Sequence, residues 1–284
     1  MDDSPIDLFS VGDDVEWTDA ESAAGVRSLA ATIGGRLGEL VEWLAGVQGQ
    51  LPVQAPKRAR CVVLGPAPES VVALADELGV HVRDLVLDDD ATAEHAFAVG
   101  LASADDEVDS GADLLIVADP DDSIASALVV AVLTGAEPVA LLPRGAAATD
   151  TDAWIARADA LRIGRRRLTE LRTDPSALLG ALGHPRMAAT VALIMRAAAR
   201  RTAVVLDGTA AVAAALLCHD VQARAGRWWQ LADVGADPVQ RHAAAELALR
   251  PLLDLAVAHG DGTAGLLAVP VLRAAAGLAA GTDR

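Results

Sequence analysis

Apolar positions recur along this chain with two periods, and their alternation sets the expected architecture. From Asp19 to Gln48, residues Val26, Leu29, Ile33, Leu37, Leu40, Val41 and Leu44 form one stripe at helical spacing, which predicts a long amphipathic helix or a broken pair. Short apolar runs then predict buried strands at 61–64 (CVVL), 81–87, 113–118 (DLLIVA), 138–142, 202–206 (TAVVL) and 228–234. Helical patterns lie between and beyond them, over 69–78, 91–101, 124–134, 151–171, 175–182, 185–200, 209–218 and 238–248. Strands alternating with helices predict an α/β fold, a mainly parallel sheet covered on both faces. Ligands in such sheets bind beyond the carboxyl ends of the strands. Attention therefore falls on loops 119–123, 143–150, 207–209, 233–237 and 259–263. The predicted division is a loose acidic stretch (1–18), a helical segment (19–56), an α/β core (57–249) and a C-terminal helical part (250–284).

The chain is organised around one stretch within that last part. Apolar residues recur at helical spacing before (Leu252, Leu253, Leu255, Val257) and after (Leu266, Leu267, Val269, Leu272) the turn His259-Gly260-Asp261-Gly262-Thr263, predicting two buried helices around a glycine-rich break. Two readings of Asp261 stand side by side. It is an acid or base on a turn whose glycines let a ligand approach the main chain, or it is the N-cap of the second helix, with Gly262 and Thr263 in its first turn. Asp207-Gly208 has the same ambiguity, as a contact to ribose hydroxyls or as the cap of the helix behind it.

Composition narrows the function classes. A formal net charge of -17 repels nucleic acid and anionic membrane, and with no Tyr, two Phe and five Trp the composition argues against a row of aromatics stacking nucleic-acid bases. Lys57 is the sole lysine, so no mechanism can use a lysine beyond it. Cys61 and Cys218 read as buried thiols. His184 and His242 lack zinc spacing, so no metal is expected, and His259 reads as an exposed residue at a helix end. Arg162, Arg165, Arg166 and Arg167 form either a phosphate cradle or a solvated helix face, the latter also suited to the acidic surface of a second subunit. The acidic patches 88–90 and 105–109 read as solvated loops. The start MDDSPIDLFS shows no apolar run, and segment 124–136 is too short to span a bilayer, so a cytoplasmic protein without a membrane span is expected.

An ordered series of segments carries a resemblance. ALLGALG (177–183), MAATVALIMRAAARRTAVVLDGTAAVAAALL (187–217), ADVGADPVQRH (232–242) and LALRPLLDLAVAHGDGTAG (247–265) are together similar to the nicotinate-nucleotide:dimethylbenzimidazole phosphoribosyltransferase family. Upstream, LGELVEWLAGVQGQLP (37–52) and DLLIVADPDDSIASALVVAVLTG (113–135) resemble further family segments. The resemblance implies a Rossmann-like sheet, a small helical subdomain from the two chain ends, a homodimer, nucleotide and aromatic-base substrates, and no cofactor. It implies that a benzimidazole nitrogen displaces nicotinate from nicotinate mononucleotide while a carboxylate takes the proton from the other ring nitrogen.

Carried over residue by residue, the family's catalytic glutamate falls on Asp261, in a turn shaped by Gly260, Gly262 and Thr263. Asp119 stands for the glutamate of a glycine-rich loop, Asp122-Ser123 for its Asn-Thr, and Arg157 for a lysine. Asp207, Gly208 and Gly235 complete the expected substrate-binding set, and Arg144 is a further phosphate candidate. The chain departs from the pattern at these places. Asp261 is one methylene shorter than glutamate, ADPDDSI (118–124) has no glycine, LLPRGAAAT replaces a glycine-rich loop, and the segment between Leu64 and Gly111 is shorter than the family's. Two alternatives follow from those departures: a catalytically inactive relative that serves as a binding or regulatory partner, and an enzyme with an altered acceptor base.

Overall fold

The computed structural model describes residues 5–121, 124–143, 150–257 and 259–282. Four helices open the chain: α1 (Leu8–Asp13), α2 (Ala20–Gly25), α3 (Arg27–Ile33) and α4 (Gly35–Gln48). The expected loose N-terminus is thus structured from Leu8, because Leu8 and Val15 are fully buried and anchor it to the body. The stripe over 19–48 breaks twice, at Val26 between α2 and α3 and at Gly34, whose φ of 73° ends α3 and starts α4, so it forms three helices and not one or a pair.

The core then alternates: β1 (Ala59–Leu64), α5 (Glu69–Leu78), β2 (His81–Leu85), α6 (Ala93–Asp109), β3 (Leu114–Ala118), α7 (Ile124–Thr134), α8 (Thr151–Leu168), α9 (Pro175–Leu182), α10 (Pro185–Ala199), β4 (Ala203–Asp207), α11 (Thr209–Val221), β5 (Trp229–Asp233), α12 (Pro238–Glu246), β6 (Pro251–Leu253) and α13 (Thr263–Thr282). Six parallel strands run in the order β2-β1-β3-β4-β5-β6. The order reverses between β1 and β3, so a crevice opens at their carboxyl ends.

Every residue of β3 and β4 is buried, and helices cover both faces, as expected of a parallel sheet. One group of helices (α6, α7, α10, α11, α12) packs together, and α13 packs with α4 and α5. The alanine-rich composition has a use here. Gly100 of α6 meets the Ala189 backbone and the Ala192 side chain of α10 so closely that a Cβ there would collide with both. These two helices are further tied by Asp105, which accepts from Arg196 and Arg200 at 2.9 and 2.5 Å, and by Asp109, which accepts from Arg200 at 2.6 Å.

Three expectations fail locally. Segment 138–142 is a 3-10 turn over Pro138–Leu141 and not a strand, since both edges of β3 are already taken by β1 and β4. The residues before the HGDGT turn form the short edge strand β6 and not a helix, and Leu255 is 59% exposed. Asp105 to Asp109 belong to α6, where arginines of α10 pair two of them, and not to a loop. Helix α13 is long and apolar enough to cross a membrane by length and composition, but half of that stretch is buried against the sheet and α4.

Candidate active site

Three strands end on an aspartate or one residue before it, and all three carboxylates are buried under the carboxyl rim of the sheet: Asp119 after β3, Asp207 closing β4 and Asp233 closing β5. Burial of a carboxylate is costly unless donors meet it. Each of these meets donors from elsewhere in the chain. Asp119 accepts from Arg186 (2.6 Å), from the Thr190 hydroxyl (2.9 Å) and from the Asp121 amide (3.1 Å). Asp233 accepts from the amides of Val234, Leu255 and Val257 and so fixes the chain leaving β6. Asp207 accepts from the Gly265 amide at 2.9 Å, in the first turn of α13.

Both readings of Asp207 are thereby corrected. Its carboxyl has no exposure for a ribose, and it anchors α13, not the helix behind it. Its second oxygen, Oδ1, has no hydrogen-bond partner among the described residues. Burial pushes the Asp207 pKa up to about 7; the Gly265 amide opposes this, the charge of Asp261 adds to it, and the Gly260 amide and Asp233 contribute opposite smaller effects. The net pKa of Asp119 is also raised, by burial, with Arg186 as the main opposing influence.

The turn carrying Asp261 sits directly on this layer. Gly208 has a φ of 91° and Gly260 a φ of 73°, and the two backbones touch: a Cβ on Gly208 would collide with the Gly260 Cα, and one on Gly260 with the Asp119 carbonyl. Only glycine fits both positions. Gly262 rests on β1, where an added Cβ would come within 3.0 Å of Cys61 Sγ. Cys61 is buried, and burial together with Asp207 and Asp261 pushes its thiol pKa upward. Asp261 itself is half-buried, and its Oδ1 accepts from the Thr263 amide at 2.9 Å. Helix α13 begins at Thr263 and its first intrahelical bond runs from the Leu266 amide to the Gly262 carbonyl, so Asp261 closes a turn just ahead of the cap position. No hydrogen bond from a described residue to the other oxygen is present.

The rest of the expected set divides. Asp119, Asp207, Gly208, Gly260, Asp261, Gly262 and Thr263 converge at the rim. Gly235 follows β5, where its amide donates to Gln240 at 3.0 Å and its carbonyl accepts from Arg241 at 2.8 Å. Arg157 is half-buried in α8, while Arg162, Arg166 and Arg167 face solvent on the same helix and Arg165 pairs with Glu137. Asp122, Ser123 and Arg144 lie outside the described residues. His259 is exposed; His242 contacts the Thr134 hydroxyl. His184 caps α10 and lies 3.5 Å from Asp121.

Sequence reasoning missed Arg186 and Thr190, which meet Asp119 from the first two turns of α10. Their only sequence signal was Pro185, which starts that helix. Arg186 also borders a cavity of about 280 Å³ with Gly65, Leu85, Asp88 and His184, at the carboxyl ends of β1 and β2. Among the described residues no group of three His, Cys, Asp or Glu side chains is placed to hold a metal ion.

A phosphoribosyltransferase family model matches residues 88–283. The nicotinate-nucleotide–dimethylbenzimidazole phosphoribosyltransferase of Streptomyces avermitilis is 32% identical over 304 aligned positions, covering 87% of this chain and 81% of that protein. The enzyme of the same name from Mycobacterium ulcerans is 34% identical over 316 positions, covering 90% and 88%. Both alignments are longer than the 284-residue chain and so carry gaps. In fold, the chain superposes on the crystal structure of the Thermus thermophilus enzyme of that name with a TM-score of 0.77 at 22% identity, covering 92% of this chain and 96% of the other.

Proposed function

The chain belongs to the nicotinate-nucleotide–dimethylbenzimidazole phosphoribosyltransferase family, and from that premise we propose that it moves the phosphoribosyl group of nicotinate mononucleotide to a benzimidazole nitrogen in cobalamin lower-ligand synthesis. In that reaction one ring nitrogen attacks the anomeric carbon. The bond from that carbon to nicotinate breaks, its electron pair passes to the pyridine nitrogen, and the proton on the other benzimidazole nitrogen goes to a carboxylate.

Asp261 is that carboxylate in our reading. The observation that carries it is the half-buried carboxyl group at the carboxyl rim, with one oxygen fixed by the Thr263 amide and the other without a donor among the described residues. A base needs a defined direction and a free lone pair, and this arrangement supplies both. Asp207 acts through Asp261 as a positioning residue, because it holds the first turn of α13. Gly208 precedes helix α11 and gives it no side-chain cap, which leaves amide donors in its first turn suited to a phosphate. Gly260, Gly262 and Thr263 shape the base's turn; Asp119 supports it from below, Arg157 and Gly235 contact the nucleotide in this proposal, and the family resemblance assigns Asp122 and Ser123 to the same substrate-binding set. A cytoplasmic homodimer belongs to it as well. No observation favours the inactive-partner alternative.

The test is release of nicotinate from nicotinate mononucleotide and dimethylbenzimidazole by the wild type, Asp261→Ala and Asp261→Glu. Turnover by the wild type and the Glu variant with loss in the Ala variant is the expected result. Equal rates in all three would overturn the assignment of the base.

A further inference from the structure

The opposite rim of the sheet carries a second cavity with a different chemistry. It holds about 500 Å³ at the amino ends of β5 and β6, a volume typical of small-molecule sites. Three of the five tryptophans in the chain line it: Trp17, Trp43 and Trp229. Three arginines, Arg36, Arg227 and Arg250, line it too, in a protein whose net charge is -17.

The charges do not cancel locally. Arg36 and Arg250 share a single carboxylate, Glu39, at 3.0 and 2.6 Å, and Arg227 makes no ion pair with a described residue. Three guanidinium groups against one carboxylate leave an excess of positive charge. The aromatic wall is equally unbalanced. Trp229 is buried and Trp43 donates to the Arg227 carbonyl at 3.0 Å, but Trp17 leaves 62% of its surface exposed beside the arginines. Of five buried side-chain polar atoms without a partner among the described residues, two belong to this wall, Arg36 Nε and His219 Nδ1. A buried polar atom without a partner signals a missing neighbour.

We propose that this cavity is a binding site for a flat aromatic carboxylate, separate from the site at the carboxyl rim. An indole face with most of its surface free offers a stacking platform, and a guanidinium fork matches a carboxylate with two parallel hydrogen bonds. A neutral base would use only the indole face and a small inorganic anion only the guanidinium groups, whereas an aromatic carboxylate uses both. The five-residue strand β5 separates the cavity from the carboxyl rim by roughly 13 Å at about 3.3 Å per residue, so one ligand cannot occupy both sites.

Nicotinate is the probe. The full-length protein is titrated with nicotinate and with nicotinamide, its neutral counterpart, by equilibrium dialysis and by tryptophan fluorescence. The same titrations are run on Arg227→Ala, Trp17→Leu and Asp261→Ala, each checked for unchanged melting. Nicotinate binding that weakens at least tenfold in Arg227→Ala and in Trp17→Leu, persists in Asp261→Ala and exceeds nicotinamide binding at least tenfold is the expected result. Binding lost only in Asp261→Ala would place nicotinate at the carboxyl rim alone and overturn the proposal. Equal affinity for nicotinamide would overturn it as well, as would absence of saturable binding. A change in sedimentation of Arg227→Ala without a ligand response would instead assign the cavity to a protein contact and overturn the ligand site.

Discussion

The two rims of one sheet solve opposite electrostatic problems. At the carboxyl rim Asp119, Asp207 and Asp233 are buried, and each is met by donors that arrive from a distant segment: α10, α13 and the chain after β6. At the amino rim Arg36 and Arg250 share one carboxylate, Arg227 makes no ion pair with a described residue, and all three line a cavity. The difference shows where order is built. Carboxylates beneath the first rim are structural anchors that hold a half-buried carboxylate, Asp261, above them. Of the cations at the second rim, Arg36 and Arg250 are held by Glu39, and Arg227 makes no ion pair with a described residue. Aspartate at a strand end thus reads in this fold as a clamp on main-chain amides before it reads as a ligand.

Several substitutions break or sharpen that contrast. Asp261→Ala has the largest expected effect: loss of a positioned base lowers kcat by about 10²–10⁴-fold. Folding free energy, read by urea denaturation, falls in that variant by only about 1 kcal/mol, the value of one hydrogen bond. Arg186→Ala leaves the Asp119 carboxylate buried without its cation and is expected to lower stability by about 3 kcal/mol, near the low end for breaking a buried pair because Arg186 is one-third exposed. Gly208→Ala forces a Cβ into Gly260 at a φ of 91° and is expected to cost about 2–3 kcal/mol while lowering turnover through displacement of the 260–263 turn.

Asp207→Asn separates the charge of the anchor from its geometry. The folded pKa of Asp207, about 7, lies above its ordinary value of 3.8, so the native state binds more protons than the unfolded chain between those values. The contribution of Asp207 to stability is therefore complete below about pH 4 and lost as pH rises through 7. The melting temperature of the wild type relative to Asp207→Asn is expected to fall between pH 5 and 8, and a constant difference would contradict the burial of that charge. Smallest of all, Arg162→Ala removes an exposed pair with Asp159 and is expected to change stability by less than about 0.5 kcal/mol, which marks α8 as a solvated face.

Much of the fold was legible because its signals were local. Helices α9, α10 and α12 begin at Pro175, Pro185 and Pro238, each behind a capping Asp174, His184 or Asp237, and their starts follow from those pairs alone. Runs such as DLLIVA and TAVVL named β3 and β4 for the same reason. What failed depended on distant partners. Nothing near 138–142 reveals that β3 has both edges occupied, and three residues of β6 are too few for a period to separate strand from helix. The site shows the same division. Family spacing located Asp261 and its glycines, but the contact of Arg186 with Asp119 spans 67 residues and that of Asp207 with Gly265 spans 58. The burial that makes Asp207 an anchor and not a ribose ligand is a property of the folded layer.

The most direct test is a crystal structure of the protein with nicotinate mononucleotide and a benzimidazole acceptor bound. The ring is expected at the carboxyl rim with its N–H directed at the Asp261 oxygen not held by Thr263, at about 2.6–3.2 Å. A ring whose N–H points at another group, with the Asp261 carboxylate out of hydrogen-bond reach, would contradict it.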